Sequence, residues 1–170
     1  MVIRDAVIGD AAAINALYNA LVDSTTVAWM EQHEPLADRV QWMLEREAAG
    51  DAVLVASVDG TVVGFAGYGD FRNSKKWPGY RFTVEHSVHV DRTYWGTGIG
   101  RDLMVELLAR ATAAGKHVMM GAVDSENGGS LRFHERLGFT EVARLPETGF
   151  KFDRWLTLVL FQKMLGTANG

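Results

Sequence analysis

Three glycines at alternate positions, Gly96-Thr97-Gly98-Ile99-Gly100, stand between a strand-like run ending near Val90 and a helical stripe beginning at Ile99. No other segment restricts the fold as much. Glycine lets the backbone turn tightly and leaves successive N–H groups clear of side chains, and the positive end of the following helix adds to them. The result is an anion site suited to a pyrophosphate, with Arg101 able to add a cation. Taken alone, such a turn also fits an ordinary loop. It departs from the dinucleotide fingerprint, which needs glycine where Arg101 stands, and it lacks the Gly-Lys-Ser/Thr of nucleotide-hydrolase phosphate loops.

The remaining pattern alternates strands and helices. A short strand begins at Ile3, and Asp10 offers an N-cap to a helix carrying Ile14, Leu17, Tyr18 and Leu21. Pro35 opens a second helix whose apolar stripe reads Leu36, Val40, Met43 and Leu44, and Gly50 ends it. Residues 53–58 and 61–68 alternate around Asp59-Gly60, a strong hairpin signal. A polar, basic loop over 72–79 leads to a strand over 80–90. The helix after the glycine turn uses Ile99, Leu103, Leu107, Leu108 and Ala111 and closes at Gly115. A strand over 118–123, a short helix over 130–137, and strands over 139–143 and 152–160 complete the order.

The chain has 170 residues, 48% hydrophobic and 22% charged, which suits a single packed domain over residues 1–165 with a frayed tail over 166–170. A formal net charge of -4 argues against a nucleic-acid partner held by phosphate neutralisation. The absence of cysteine excludes disulfides, thiolate metal sites and a cysteine nucleophile. The sequence shows no apolar run of membrane-spanning length and no secretory pattern, so the expectation is a cytoplasmic protein without a membrane partner.

The segment from Val88 through Gly100 resembles the coenzyme motif of the GCN5-related N-acetyltransferases, in which a strand ends just before Arg/Gln-x-x-Gly-x-Gly/Ala. Trp95 stands where that family usually has Arg or Gln. Asn127, Ser130, His134 and Leu137-Gly138-Phe139 are similar to a second family element. Residues 68–72, 83–90 and 151–156 look like the branch that acetylates phosphinothricin and methionine sulfoximine. The resemblance implies a three-layer α/β fold whose mixed sheet splays beside Val88–Val90, acetyl-CoA as co-substrate, and a homodimer. It implies coenzyme contacts from Val88, His89, Val90, Gly96, Thr97, Gly98, Ile99, Gly100, Arg101 and Asn127.

Acetyl transfer to an amine needs a base, because the amine is mostly protonated at neutral pH, and the departing thiolate benefits from an acid. Glu85, three residues before Val88, is the candidate base, although it also fits a solvated strand face shared with Ser87. His134 falls where relatives carry a tyrosine thought to protonate the thiolate; a packing role fits it equally. His86 and His89 point to opposite faces of one strand, so they cannot share a metal, and neither a metal-ligand spacing nor a nucleophile motif occurs. Arg72 could hold an anionic group of an amino-acid-like substrate. By the resemblance, Pro78, Gly79, Tyr80 and Glu85 line the substrate site. Two alternatives stay open: another acceptor, such as a protein N-terminus, polyamine or aminoglycoside, or a nonenzymatic acetyl-CoA-binding module.

Overall fold

Asp59 and Gly60 both take positive φ, 49° and 81°, and fold the chain back on itself between β2 (Val53–Val58) and β3 (Thr61–Asp70). Left-handed dihedrals at both turn residues match the twist of the flanking strands. On β3, Ala66 and Tyr68 face one side and Phe65 faces the other, so the hairpin seeds two cores. The structure is a computed structural model and describes residues 1–166. Most of the predicted tail, residues 167–170, lies outside the described residues.

One seven-stranded sheet carries the fold, in the order β1-β2-β3-β4-β5-β7-β6, with β1 Val2–Asp5, β4 Thr83–Val90, β5 Val118–Asp124, β6 Thr140–Lys151 and β7 Arg154–Met164. Every neighbouring pair is antiparallel except β4 with β5. Helices α1 (Ala11–Val22) and α2 (Leu36–Ala49) cover one face through Ile14, Met43 and Phe65. On the other face α3 (Ile99–Ala113) buries Leu103, Met104 and Leu107 against Val84, Met119 and Val159, while α4 (Gly128–Arg136) packs beside it. The expected mixed three-layer architecture is thus present.

The feature that matters most is the join of β4 to β5. Their parallel register covers only Thr83↔Val118, Val84↔Met119 and Glu85↔Met120, and beyond Glu85 the two strands part. Across β4 the bond from Asp91 N–H to Val63 C=O shows that odd-numbered residues turn their backbone polar groups toward β3. By alternation Val88 and Val90 turn theirs toward the opening. The splay therefore leaves a short length of unpaired strand edge inside the molecule.

Three details differ from the sequence pattern. In α2, Leu36 and Leu44 are exposed, whereas Arg39 and Met43 are buried with Trp42 packed beside them. This rotation is possible because Gly67 and Gly69 on β3 leave room for Trp42 and Arg46 to lie on the strand backbone. The two last strands are also longer than expected and form one hairpin that turns at Phe152-Asp153, both at positive φ. Glu147, at φ 53°, takes up the irregularity between Leu145 and Gly149 that hides this strand from a period-two reading. Finally, β4 begins at Thr83, because Pro78–Tyr80 forms a 3₁₀ turn.

Candidate active site

A groove of about 660 Å³ opens where β4 leaves β5. Val88, His89 and Val90 form one wall, and Asn127, Ser130 and Phe133 from the start of α4 form another. The glycine turn closes one end, and Leu21 from the last turn of α1 and Val27 from the segment after it reach in.

The turn is held open by its own hydrogen bonds. Asp91 accepts from the Thr93 N–H and hydroxyl at 2.8 and 2.6 Å, and the Trp95 indole N–H donates to the Val90 carbonyl at 2.8 Å. Trp95 thus clasps the turn to the strand, leaving the Val90 N–H and both Val88 backbone groups as the open edge. Gly96 and Gly98 take φ of 78° and 95°, values that would strain any other residue. Helix α3 makes its first backbone bond from Asp102 N–H to Gly98 C=O, so the N–H groups of Ile99, Gly100 and Arg101 have no helical acceptor. Gly96, Gly98, Gly100 and Arg101 line the groove. The side chains of Thr97 and Ile99 do not: the Thr97 hydroxyl donates to the Tyr94 carbonyl, and Ile99 is buried in the core. For these two residues the structure leaves only a backbone contribution.

Asn127 caps α4 through its side-chain oxygen, which accepts from the Ser130 N–H at 3.0 Å and leaves the amide NH₂ free beside the groove. Glu85 occupies the last paired position before the splay, opposite Gly69 on β3 and Met120 on β5. Its side chain is half-buried and makes no hydrogen bond among the described residues. Burial lifts its carboxyl above the usual glutamate range, which makes it a better proton acceptor than a free carboxylate. His89 borders the groove between Tyr18 and Phe65, and burial, with Arg39 nearby, pushes it down to about 4.

His134 is placed differently from the expectation. Its imidazole is only 3% exposed and lies behind the groove wall, stacked between His86 and Phe161. Its Nδ1 sits 2.7 Å from the Ser130 carbonyl, which can only accept, so that nitrogen carries the proton. Its Nε2 then accepts from His86 Nε2–H at 3.2 Å, leaving His86 Nδ1 buried without a partner. Burial keeps both rings neutral, lowering His134 and holding His86 at about 3. Gly121 makes the pairing possible, since a Cβ there would stand 2.9 Å from His86 Nε2. In this arrangement His134 has no proton aimed at the groove.

The predicted substrate residues form a separate, exposed group. The Arg72 guanidinium lies 5.8 Å from the Tyr80 ring centre and 5.9 Å from that of Phe71, while Pro78 and Gly79 sit on the adjoining 3₁₀ turn. None of these four lines the groove, nor does Glu85, the fifth residue of the predicted substrate site, but their loop follows Asp70, one residue beyond Gly69, which faces Glu85. Sequence reasoning assigned no role to Tyr94, Phe133, Arg132 and Arg136, which also border the groove. Arg132, Phe133 and Arg136 follow the Asn127 cap along α4 and Tyr94 sits on the 3₁₀ turn Arg92–Tyr94, and helical spacing alone does not mark any of them in the sequence. Among the described residues no cluster of three His, Asp or Glu could hold a metal ion.

A mixed sheet splayed around a strand edge, with a glycine turn feeding a helix at its mouth, defines a coenzyme-binding α/β acyltransferase fold. The chain matches the Acetyltransferase (GNAT) family over residues 14–139 and belongs to it. It is 41% identical over 165 residues to the L-methionine sulfoximine/L-methionine sulfone acetyltransferase of Salmonella typhimurium, covering 97% of this chain and 95% of that one. Identity to the phosphinothricin N-acetyltransferase of Alcaligenes faecalis is 34% over 172 residues, with coverage of 99% and 83%. The solved phosphinothricin acetyltransferase of Sinorhizobium meliloti, in complex with acetyl-CoA, superposes with a TM-score of 0.92 at 32% identity, covering 97% of this chain and 88% of that one. The groove of this chain fits the same ligand: it offers an open strand edge for amide groups, free N–H groups for a pyrophosphate, and no carboxylate among its lining residues.

Proposed function

We propose that this acetyl-CoA-dependent N-acetyltransferase acts on the primary amine of a small amino-acid-like substrate of the methionine sulfoximine, methionine sulfone or phosphinothricin type. The observation that carries the reading is the coincidence of three things at one point of the sheet. Glu85 holds an unpaired, half-buried carboxylate at the start of the splay, the free edge of Val88 and Val90 follows, and the glycine turn lies beyond.

The thioester supplies an acetyl carbonyl already activated for attack, so this chain's residues align the reactants and move protons. The open edge at Val88 and Val90 pairs with the amides of the pantetheine arm, and the turn from Gly96 to Arg101 holds the pyrophosphate. Asn127 donates its free amide to the same arm. Glu85 takes a proton from the substrate ammonium, directly or through one water, and frees the lone pair. Attack forms the C–N bond and a tetrahedral centre; the C–S bond then breaks, and of the two protons the nitrogen gives up, one ends on the thiol and one in solvent. The Val88 N–H is a backbone donor available to the developing oxyanion. His134, neutral and tied to Ser130 and His86, acts as a positioning residue: it fixes the α4 wall that faces the thiolate. Arg72 and Tyr80 hold the anionic end of the substrate, with Pro78 and Gly79 shaping the loop between them.

We further propose that residues 1–165 form the catalytic domain and that the protein works as a cytoplasmic homodimer. Support for dimerisation lies on the β6–β7 hairpin, which exposes Val142, Leu145, Phe150, Phe152 and Trp155 beside the free edge of β6. The cytoplasmic assignment rests on the co-substrate.

Steady-state kinetics of Glu85→Gln test the mechanism. The variant is expected to lose about 10²- to 10⁴-fold in kcat with little change in the KM for acetyl-CoA. The wild type should lose activity as pH falls through the raised Glu85 pKa, and the variant should lack that limb. A kcat within twofold of wild type removes Glu85 from the role.

A further inference from the structure

The charges around the groove exceed what a pyrophosphate needs. Three arginines line it, Arg101, Arg132 and Arg136, and no carboxylate does, in a chain of formal net charge -4. Arg101 belongs to the glycine turn. Arg132 and Arg136 stand across from it, four residues apart on α4 and so on one helix face.

Both are exposed, and neither has an ion-pair partner among the described residues. Three other exposed arginines are paired, Arg110 with Asp5 and Glu106, Arg144 with Glu141, and Arg154 with Glu126, whereas Arg72, Arg81 and Arg92, which do not line the groove, also have no ion-pair partner among the described residues. Unpaired like charges at this spacing repel one another along a helix. Arg132 also lies back over the first turn of α4, its Nη1 3.3 Å from where a Cβ of Gly128 would stand. A cation gains nothing there from the helix dipole. Between the two arginines the Phe133 ring comes within 3.5 Å of a Cβ position at Gly100, so this wall abuts the first turn of α3, where the pyrophosphate is held.

Coenzyme A carries a second phosphate group one ribose away from its pyrophosphate, a 3′-monoester that is mostly dianionic at neutral pH. We propose that Arg132 and Arg136 bind this 3′-phosphate and make the enzyme selective for acetyl-CoA over the 3′-dephospho form. The proposal rests on the acetyl-CoA reading of the groove. Two guanidinium forks suit a phosphate monoester, whose oxygens accept charge-assisted hydrogen bonds from both.

Titration calorimetry of the full chain with coenzyme A and with 3′-dephospho-coenzyme A tests it, in the wild type and in Arg132→Gln/Arg136→Gln. The wild type should bind the dephospho form about tenfold more weakly, the scale of two exposed charge-assisted contacts. The double variant should lose about tenfold for coenzyme A alone, bringing the ratio near one, and Arg132→Lys/Arg136→Lys should keep part of the discrimination. The wild-type preference should also shrink as salt is raised. A wild-type ratio near one overturns the proposal, as does a ratio that survives in the double variant or an equal loss for both ligands. Failure of the wild type to bind either ligand overturns the coenzyme reading itself, and the proposal with it.

Discussion

Acid should weaken this fold through its buried histidines, and His86 gives the cleanest test. In the unfolded chain a histidine titrates near 6.5, whereas in the fold burial, with His134 and His89 adding to it, holds His86 at about 3. The folded value is the lower one, so the stabilisation is complete above the unfolded pKa and is lost as pH falls from 6.5 toward 3. Linkage gives a cost of about 2 kcal/mol for His86 between pH 8 and pH 5, and about the same for His89, held at about 4. Glu85 works in the opposite sense, because its raised pKa favours proton uptake by the fold, but it is common to wild type and variant and cancels in their difference. Urea unfolding followed by circular dichroism at pH 8 and pH 5, on wild type and His86→Gln, reads the effect. Glutamine keeps a donor toward His134 and removes the titration. The wild type should lose about 2 kcal/mol more than the variant over this interval. An equal loss in both proteins, or a His86 ring that titrates near 6.5 by NMR in the folded state, refutes the reasoning.

Lys151 is the hub of the segment after α1: the residue is 2% exposed and its ammonium donates to the carbonyls of Val22, Thr25 and Ala28 at 2.6, 2.8 and 2.6 Å. Lys151→Met should cost roughly 3 kcal/mol in thermal or urea unfolding and speed hydrogen exchange over residues 22–30. Because Val27 of that segment and Leu21 just before it line the groove, the KM for acetyl-CoA should rise as well. Gly98→Ala meets nothing within 4 Å but must hold φ of 95°, so it should cost about 1–2 kcal/mol in a thermal melt and weaken acetyl-CoA binding several-fold by calorimetry. Gly9→Ala, also in open space but without positive φ, should do neither.

What could be seen in the sequence were the features written in local backbone chemistry. Asp59-Gly60 announced its hairpin because two consecutive positive φ values favour such residues, and the glycines of the 96–100 turn stood out because Gly96 and Gly98 take positive φ before a helix start. What stayed hidden depends on partners distant in the chain. Lys151 reads as a surface lysine because its acceptors are backbone carbonyls more than 120 residues away. Arg39 reads as the polar side of α2, yet it is buried over the rings of Tyr18 and Trp42 and paired with Glu34. His134 was found in position and not in orientation, since its direction is set by His86 on another element and by the absence of a side chain at Gly121. The groove-lining arginines carried no signal because four-residue spacing on a short helix is common.

The central claim is acetyl transfer from acetyl-CoA to an amino-acid-like amine at the splay. Thiol release from acetyl-CoA by the purified protein tests it most directly, against methionine sulfoximine, methionine sulfone, phosphinothricin, ordinary amino acids and spermidine. The account predicts rapid turnover with the first three and little with spermidine. Turnover confined to spermidine or another non-amino-acid amine, or none with any amine despite tight acetyl-CoA binding, would contradict it.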